Sequence, residues 1–502
     1  MSLDLRSIEN FGAIDADEDA LLRECFRDHP AYTAAKDARF LVVGRKGSGK
    51  TAIFKRLITE GDPAVFSYGH TFDDYPWHYH DLQAEVGVPE ERRYIHSWRY
   101  LILIGLAKVL LNVDQSQPWS EEALEALGDL ERFVVDSYGS RDPDLTQLFA
   151  PEKKLRFKGG LKLAVASIEG ETVAIKELPL HVQEVNRSVQ ASVLTALNPD
   201  HEYYVCFDQL DLGFTTADPR YAQRLIGLIV AASDIRKAAL DAGKRLSVVI
   251  FLRDDIYELL HFEDKNKITE NNMVRVEWNQ PGSDLTLKSL MERRFGEVLG
   301  RSDSVPWSDA FDEEREMPGR QTKYAHICDR TFLRPRDMIK FCNEILSAYK
   351  QEGQEGEVEK FDNASVHAAR AAYSTYLLRE LDDEIAKHVP AYKEYLEVLK
   401  RVGNVQFSPK QFFDEWSQRE ALHEQDPQEA LESLFEFSVI GYLKSGGGGG
   451  GSKYIWRYLD PGARFDPAAE TLRVHAGFKE ALDLVYGAGT KEPATAEAGV
   501  ET

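Results

Sequence analysis

Strand, tight loop and helix follow one another without interruption between Arg39 and Ile58. The apolar, β-branched run RFLVV (Arg39–Val43) passes at once into the glycine-rich GRKGSGKT and then into the helix-forming stretch TAIFKRLI. Strands separated by helices indicate parallel pairing, because a helix can carry the chain back before the next strand pairs. Two further apolar runs supply such partners, Tyr203–Phe207 (YYVCF) and Leu246–Leu252 (LSVVIFL). Helical patterns over Leu180–Leu197 and Arg220–Leu240 alternate with them. The expected fold class is therefore α/β, a parallel sheet flanked by helices on both faces.

The loop after the first strand fits GxxxxGK(S/T) in full, as Gly44-Arg45-Lys46-Gly47-Ser48-Gly49-Lys50-Thr51. Gly47 and Gly49 allow the backbone to turn so that successive N–H groups converge on phosphate oxygens. The helix that follows adds the positive end of its dipole to the same anion. In this pattern Lys50 reaches the β- and γ-phosphates and the Thr51 hydroxyl binds magnesium, with Ala52 next in the first helical turn. The expected ligands are ATP and Mg²⁺. No N/TKxD element that would read guanine stands in a suitable place.

The second apolar run ends in Asp208, followed by Gln209, Leu210 and Asp211. A carboxylate at the end of a buried strand is costly unless something cationic meets it, and magnesium is the expected partner. The third run ends in Arg253-Asp254-Asp255, again at the edge where open α/β sheets gather ligands.

The chain has 502 residues, which suits several domains, and 61 Lys and Arg against 84 Asp and Glu give a formal charge of −23. That acidity disfavours a broad nucleic-acid surface, although a local basic patch is compatible with it. The four cysteines, Cys25, Cys206, Cys328 and Cys342, match neither a disulfide framework nor a zinc spacing, as expected in a reducing cytoplasm. The opening residues are acidic and lack the pattern of a signal peptide, and the run Tyr100–Leu111 is too short to span a bilayer. His70, His78 and His80 lie near Asp73 and Asp74, but their spacing fits no standard zinc site.

The remaining organisation follows composition. Residues 1–36 form an acidic lead-in with a short helix around Asp19–Phe26, and residues 37–300 hold the α/β core with an insertion at about 62–200. That insertion holds a helix over Glu91–Leu111, a polar region at 113–155 and a hairpin-like stretch, FKGGLKLAVASI. A helical segment covers 301–360, including Arg336–Tyr349. Residues 361–486 end in two alternating segments, Ser438–Lys444 and Lys453–Leu459, around the glycines Gly446–Gly451. Helices followed by such a hairpin resemble a winged helix. The tail 487–502 has the composition of a disordered segment.

DQLD after an apolar strand resembles the magnesium-binding region of AAA+ and STAND-type P-loop ATPases. The opening FGAIDADEDALLRECFRDHPAY with FLVVGRKGSGKTAIFKRL is similar to a group of such ATPases found in phage-defence gene clusters. The resemblance runs from about residue 10 to 345 and implies a P-loop core, a helical lid and a C-terminal winged helix. It implies catalytic roles for Lys50 and Asp208 and a γ-phosphate-sensing role for Arg253. Gln209 stands where those families keep the acid that activates water, and an amide cannot accept that proton, so Asp211 is the substitute and slow turnover is expected. Arg334 or Arg336, at the helix entry LRPRD, would contact nucleotide from the lid, and sequence does not choose between them. Arg293 and Arg294 are weak candidates for an arginine acting in trans.

The implied function is a switch that binds and hydrolyses ATP, self-assembles as a homo-oligomer and controls a separate effector protein, in a cytoplasmic antiviral setting without a membrane. Two other readings stand beside it. One is an origin-recognition-type DNA-binding protein using Lys453, Arg457, Arg464 and Arg473 near the wing, opposed by Asp460, Asp466 and Glu470. The other is a scaffold that holds ATP without hydrolysing it.

Overall fold

The computed structural model describes residues 3–37, 39–59, 61–72, 77, 80–81, 94–144, 155–156, 172–173, 178–212, 218–278, 284–351, 359–446 and 452–487. They form two compact units. One comprises Asp28–Arg45 and Lys50–Val276, the other Met1–Arg27, Lys46–Gly49 and Glu277–Thr502.

The first unit is built on five parallel strands, β1 (Leu41–Gly44), β2 (Val65–His70), β3 (Glu202–Phe207), β4 (Arg245–Arg253) and β5 (Met273–Arg275), in the order β2-β3-β4-β1-β5. Side chains alternate between the two faces. Val43, Val205, Phe207, Val248, Ile250 and Leu252 belong to one core. On the other face the helix α1 (Lys50–Ile58) sends Phe54 edge-on against Phe251, 5.9 Å between ring centroids. Gly69 is needed for that packing, because a Cβ there would lie 2.6 Å from the Phe54 ring.

The larger core is closed by α2 (Ile95–Lys108), α3 (Glu121–Tyr138), α4 (Leu178–Ala196) and α5 (Pro219–Asp241). Helix α2 is buried almost all round, with Trp98 fully enclosed and its indole donating to the Arg224 carbonyl at 2.7 Å. Helix α3 lies within the stretch expected to be a polar region. Ser120 caps it by accepting from the Ala123 N–H at 3.1 Å, and Gly139 ends it at φ 76°. No helix among the described residues is long and apolar enough to cross a membrane. The hairpin-like stretch at 157–168 and most of the glycine run lie outside the described residues.

The second unit is mainly helical, with α6 (Leu287–Val298), α7 (Pro335–Gln351), α8 (Asn363–Ile385), α9 (Tyr392–Val402), α10 (Pro409–Trp416) and α11 (Pro427–Glu436). The acidic lead-in is part of its core: Leu5, Ile8 and Phe11 are buried, Phe11 packing on Phe295 at 5.1 Å. Helices α7 and α8 are joined by a stacked pair, Phe341 on Tyr373 at 4.4 Å. A four-stranded antiparallel sheet follows, β6 (Gln406–Phe407), β7 (Ile440–Lys444), β8 (Lys453–Ile455) and β9 (Leu472–Val474), in the order β8-β7-β9-β6. The hairpin β7–β8 pairs Tyr442 with Ile455 across the glycine run.

Candidate functional site

In the first unit the chain leaves β1 for β2 at the far edge of the sheet, whereas β4 is followed by β5 on the other side of β1. The neighbouring strands β1 and β4 therefore send their connections in opposite directions, which opens a crevice at their carboxyl ends. Gly44 and Arg253 are register partners there, and the neighbouring strand β3 pairs with β4 as far as Phe207, with Asp208 next in the chain.

The charges at this edge are unusual. Lys50 donates to the carbonyls of Gly44 at 2.8 Å and Arg45 at 3.0 Å. Burial pulls its ammonium below the ordinary lysine range, and Asp211, Asp208 and Asp254 oppose that shift. Asp208 is 2% exposed. Burial pushes its carboxyl up to about 6, against hydrogen bonds from the Thr51 hydroxyl and the Gln209 N–H. Its Oδ2 has no hydrogen-bond partner among the described residues. Burial and Asp255 likewise raise Asp254. Lys50 and the two hydrogen bonds therefore offset the burial of Asp208 only in part, and one oxygen is left open. Gln209 takes a left-handed backbone at φ 60°, a strained conformation of the kind that collects at functional sites.

Arg253 is held by a fork to Asp255, Nε to Oδ1 at 3.0 Å and Nη2 to Oδ2 at 2.7 Å, while Nη1 reaches Asp211 Oδ2 at 3.4 Å. The residues expected to sense phosphate and to act as base are thus each other's partners.

The loop tip Lys46–Gly49 groups with the second unit. There Arg334 Nη1 donates to the Lys46 carbonyl at 2.9 Å, and the Trp278 indole donates to the Ser48 carbonyl at 2.8 Å. Arg334 is further committed to Asp337 through Nε (2.7 Å) and Nη2 (2.9 Å), and to Glu384 at 2.9 Å. Leu333, directly before it, sits at φ 54°. Arg336 pairs with Glu380 at 3.1 Å and lies so close to Gly47 that an added Cβ would meet it at 3.0 Å.

Gly47 and Gly49 have φ 78° and 102°, the left-handed values a nest of N–H groups requires. The carbonyls of Gly44, Arg45, Lys46 and Ser48 all accept hydrogen bonds. By contrast, among the described residues none supplies an acceptor to the N–H groups of Lys46, Gly47, Ser48 or Gly49. The Ser48 hydroxyl is also buried without a partner. The turn thus has its acceptors occupied and its donors open, the arrangement an anion needs.

Other expected residues fall elsewhere. Arg294 is 3% exposed and donates to Asp19 at 2.5 Å and to the Phe11 carbonyl at 2.8 Å, so it is engaged within its own unit. Arg293 donates to the carbonyls of Glu24 and Ser302. His70 and His80 are buried, His80 bonding the Ser97 hydroxyl at 2.8 Å, while His78, Asp73 and Asp74 lie outside the described residues. Among the described residues no group of three or more His, Cys, Asp or Glu is gathered to hold a metal. Trp278, Glu380, Asp383 and Glu384 were not expected at the site. The last three had a signal, since spacings of three and four residues put acids on one helix face.

Two comparisons with known proteins bear on this arrangement. Residues 285–382 match the family model for the FunZ-associated C-terminal helical domain. The chain is also 22% identical over 424 residues to an 80.3 kDa protein of Escherichia coli (strain K12) named for transposon gamma-delta. That match takes in 80% of this chain and 55% of the relative, so the chain spans little more than half the relative's length.

Proposed function

We propose that this chain is a P-loop ATPase of AAA+/STAND type, working as a nucleotide-operated switch. The observation that carries the reading is the open row of four N–H groups in a GxxxxGK(S/T) loop, in a chain whose Asp208 keeps a buried carboxylate oxygen without a partner. The N–H groups of Lys46–Gly49 and the Lys50 ammonium bind the phosphates. Thr51 and Asp208 hold a magnesium ion, which when bound neutralises phosphate charge. The Asp208 carboxyl then stays ionised, because a cation replaces the water it has lost.

In hydrolysis a water oxygen forms a bond to the γ-phosphorus as the bond to the β-phosphate oxygen breaks. Asp211 takes the proton from that water, which Gln209 cannot do. Arg253 must give up part of its pairing with Asp255 and Asp211 to touch phosphate, so turnover is slow. The helical segment 285–382 acts as the lid, and the last helices with the antiparallel sheet β6–β9 act as a winged helix. The switch self-assembles and controls a separate effector in a mobile-element or antiviral setting; the transposon-named relative supports the mobile-element context alone.

ATP hydrolysis and particle size, measured together, test this. Lys50→Ala is expected to abolish nucleotide binding and assembly, and Asp211→Ala to keep binding while losing turnover. Normal hydrolysis and assembly by Lys50→Ala would sink the reading. Full turnover by Asp211→Ala would remove only the choice of base.

The transposon-named relative favours one second reading, an ATP-dependent DNA-binding protein that uses the winged helix. The net charge of −23 opposes it. Duplex binding whose affinity falls steeply with salt would support it.

A further inference from the structure

Helix α8 carries Glu380, Asp383 and Glu384 on one face, and each meets a cation beside the loop tip. Lys46 Nζ lies 2.8 Å from Asp383 Oδ2 and 3.6 Å from Glu380 Oε2. The same Glu380 oxygen holds Arg336 at 3.1 Å, and Glu384 holds Arg334 at 2.9 Å. Glu380 and Glu384 are largely buried, their side chains 13% and 12% exposed. Lys46 and Arg336 flank Gly47, in the segment whose N–H groups stand open.

Carboxylates that hold these cations compete for them with an anion at the loop, since a cation paired to a carboxylate is less available to a phosphate. We propose that Glu380 and Asp383 act as an internal counter-anion, holding Lys46 and Arg336 until the triphosphate of the nucleotide displaces them. The inference rests on the reading of this loop as an ATP site and adds its regulation: occupancy of the loop releases Glu380 and Asp383 on α8. Binding is weakened by the free energy of the pairs that must break, and the two acids are freed only while nucleotide stays. Arg334 does not take part in the exchange. Its pairs with Asp337 and Glu384 are buried, and the Lys46 carbonyl that it holds is not a phosphate ligand.

A double-mutant cycle on the full chain tests the exchange, with MgATP affinity read by calorimetry. Glu380→Gln with Asp383→Asn is expected to tighten MgATP binding at least about fivefold, roughly 1 kcal/mol at 1.4 kcal/mol per factor of ten. In a background carrying both Lys46→Met and Arg336→Met the same pair of substitutions is expected to give less than about a twofold gain, because both held cations are gone. Asp382→Asn, on the same helix but paired with Lys393 at 3.5 Å, serves as the control and should leave affinity unchanged. The proposal is overturned if the gain is absent. It is overturned equally if the gain is as large without Lys46 and Arg336, which would make it a general field effect. If no variant, and not the parent chain, gives any heat with MgATP, it is the ATP reading that has failed, and this inference falls with it.

Discussion

Asp208 and Arg334 are both buried ions, and they are treated in opposite ways. Asp208 has one carboxylate oxygen without a donor among the described residues, and burial pushes its carboxyl up to about 6. Arg334 has two carboxylates and a carbonyl around its guanidinium, and its charged form is strongly favoured: burial opposes the charge, but Asp337 and Glu384 outweigh it. A polar group left open at a cost in stability points to a ligand, whereas one with its valences filled points to architecture. Of the two arginines expected to contact nucleotide, Arg334 is the one that fixes the carbonyl side of the loop tip.

Removing each ion should break this contrast or confirm it, and the largest effect falls on Arg334. Arg334→Ala leaves Asp337 and Glu384 buried without their cation, and a loss of about 3–5 kcal/mol in unfolding free energy is expected. Urea denaturation of the helical unit measures it. A loss below about 1 kcal/mol would show the network to be ornamental. Asp208→Asn should do the reverse, raising the stability of the nucleotide-free protein by about 1–2 kcal/mol, because a buried charge that is only partly compensated disappears. The same substitution should abolish the magnesium dependence of nucleotide binding. Destabilisation by Asp208→Asn would mean that the carboxylate is already well satisfied.

The smallest effect concerns pH. Burial, helped by the Arg224 guanidinium, lowers the His80 imidazole to about 3. Its folded value lies below the unfolded one, near 6.5, so the unfolded chain binds the proton first. Stability is whole above about pH 6.5 and is lost as pH falls towards 3, at up to about 1.4 kcal/mol per pH unit from this residue. Comparing thermal midpoints at pH 7.5 and 5.5, His80→Asn should shrink the difference, and an unchanged difference would show that His80 is solvated.

The strands legible in the sequence were those buried on both faces. The runs at 41, 203 and 246 stand out because parallel strands in the middle of a sheet are apolar throughout. Strand β2 escaped notice because it is an edge strand, half-buried over Val65–Gly69, and VFSYGH has no continuous apolar run. Strand β5 has only three residues and follows the polar helix KNKITENN. Helix α3 could have been found, since Ser120 and the acids after it form a capping signal ahead of an amphipathic repeat. At the site, the loop and Asp208 were legible from local order alone. The pairing of Arg253 with Asp255 and Asp211 was only half legible, and the ties of Arg334 to Lys46 and Glu384 were not, because those depend on contacts between residues far apart in the chain.

Leu333 has a consequence for how this protein responds to its ionic surroundings. A buried leucine in the left-handed region costs roughly 1–2 kcal/mol, and the packing of its side chain is what keeps it there. The aim of Arg334 is thus set by the hydrophobic interior as well as by its charges, and mobile ions cannot reach it. Lys46 and Asp383 are different, with Asp383 64% exposed and open to screening. Rising salt would loosen one of these two holds on the loop and leave the other as it was.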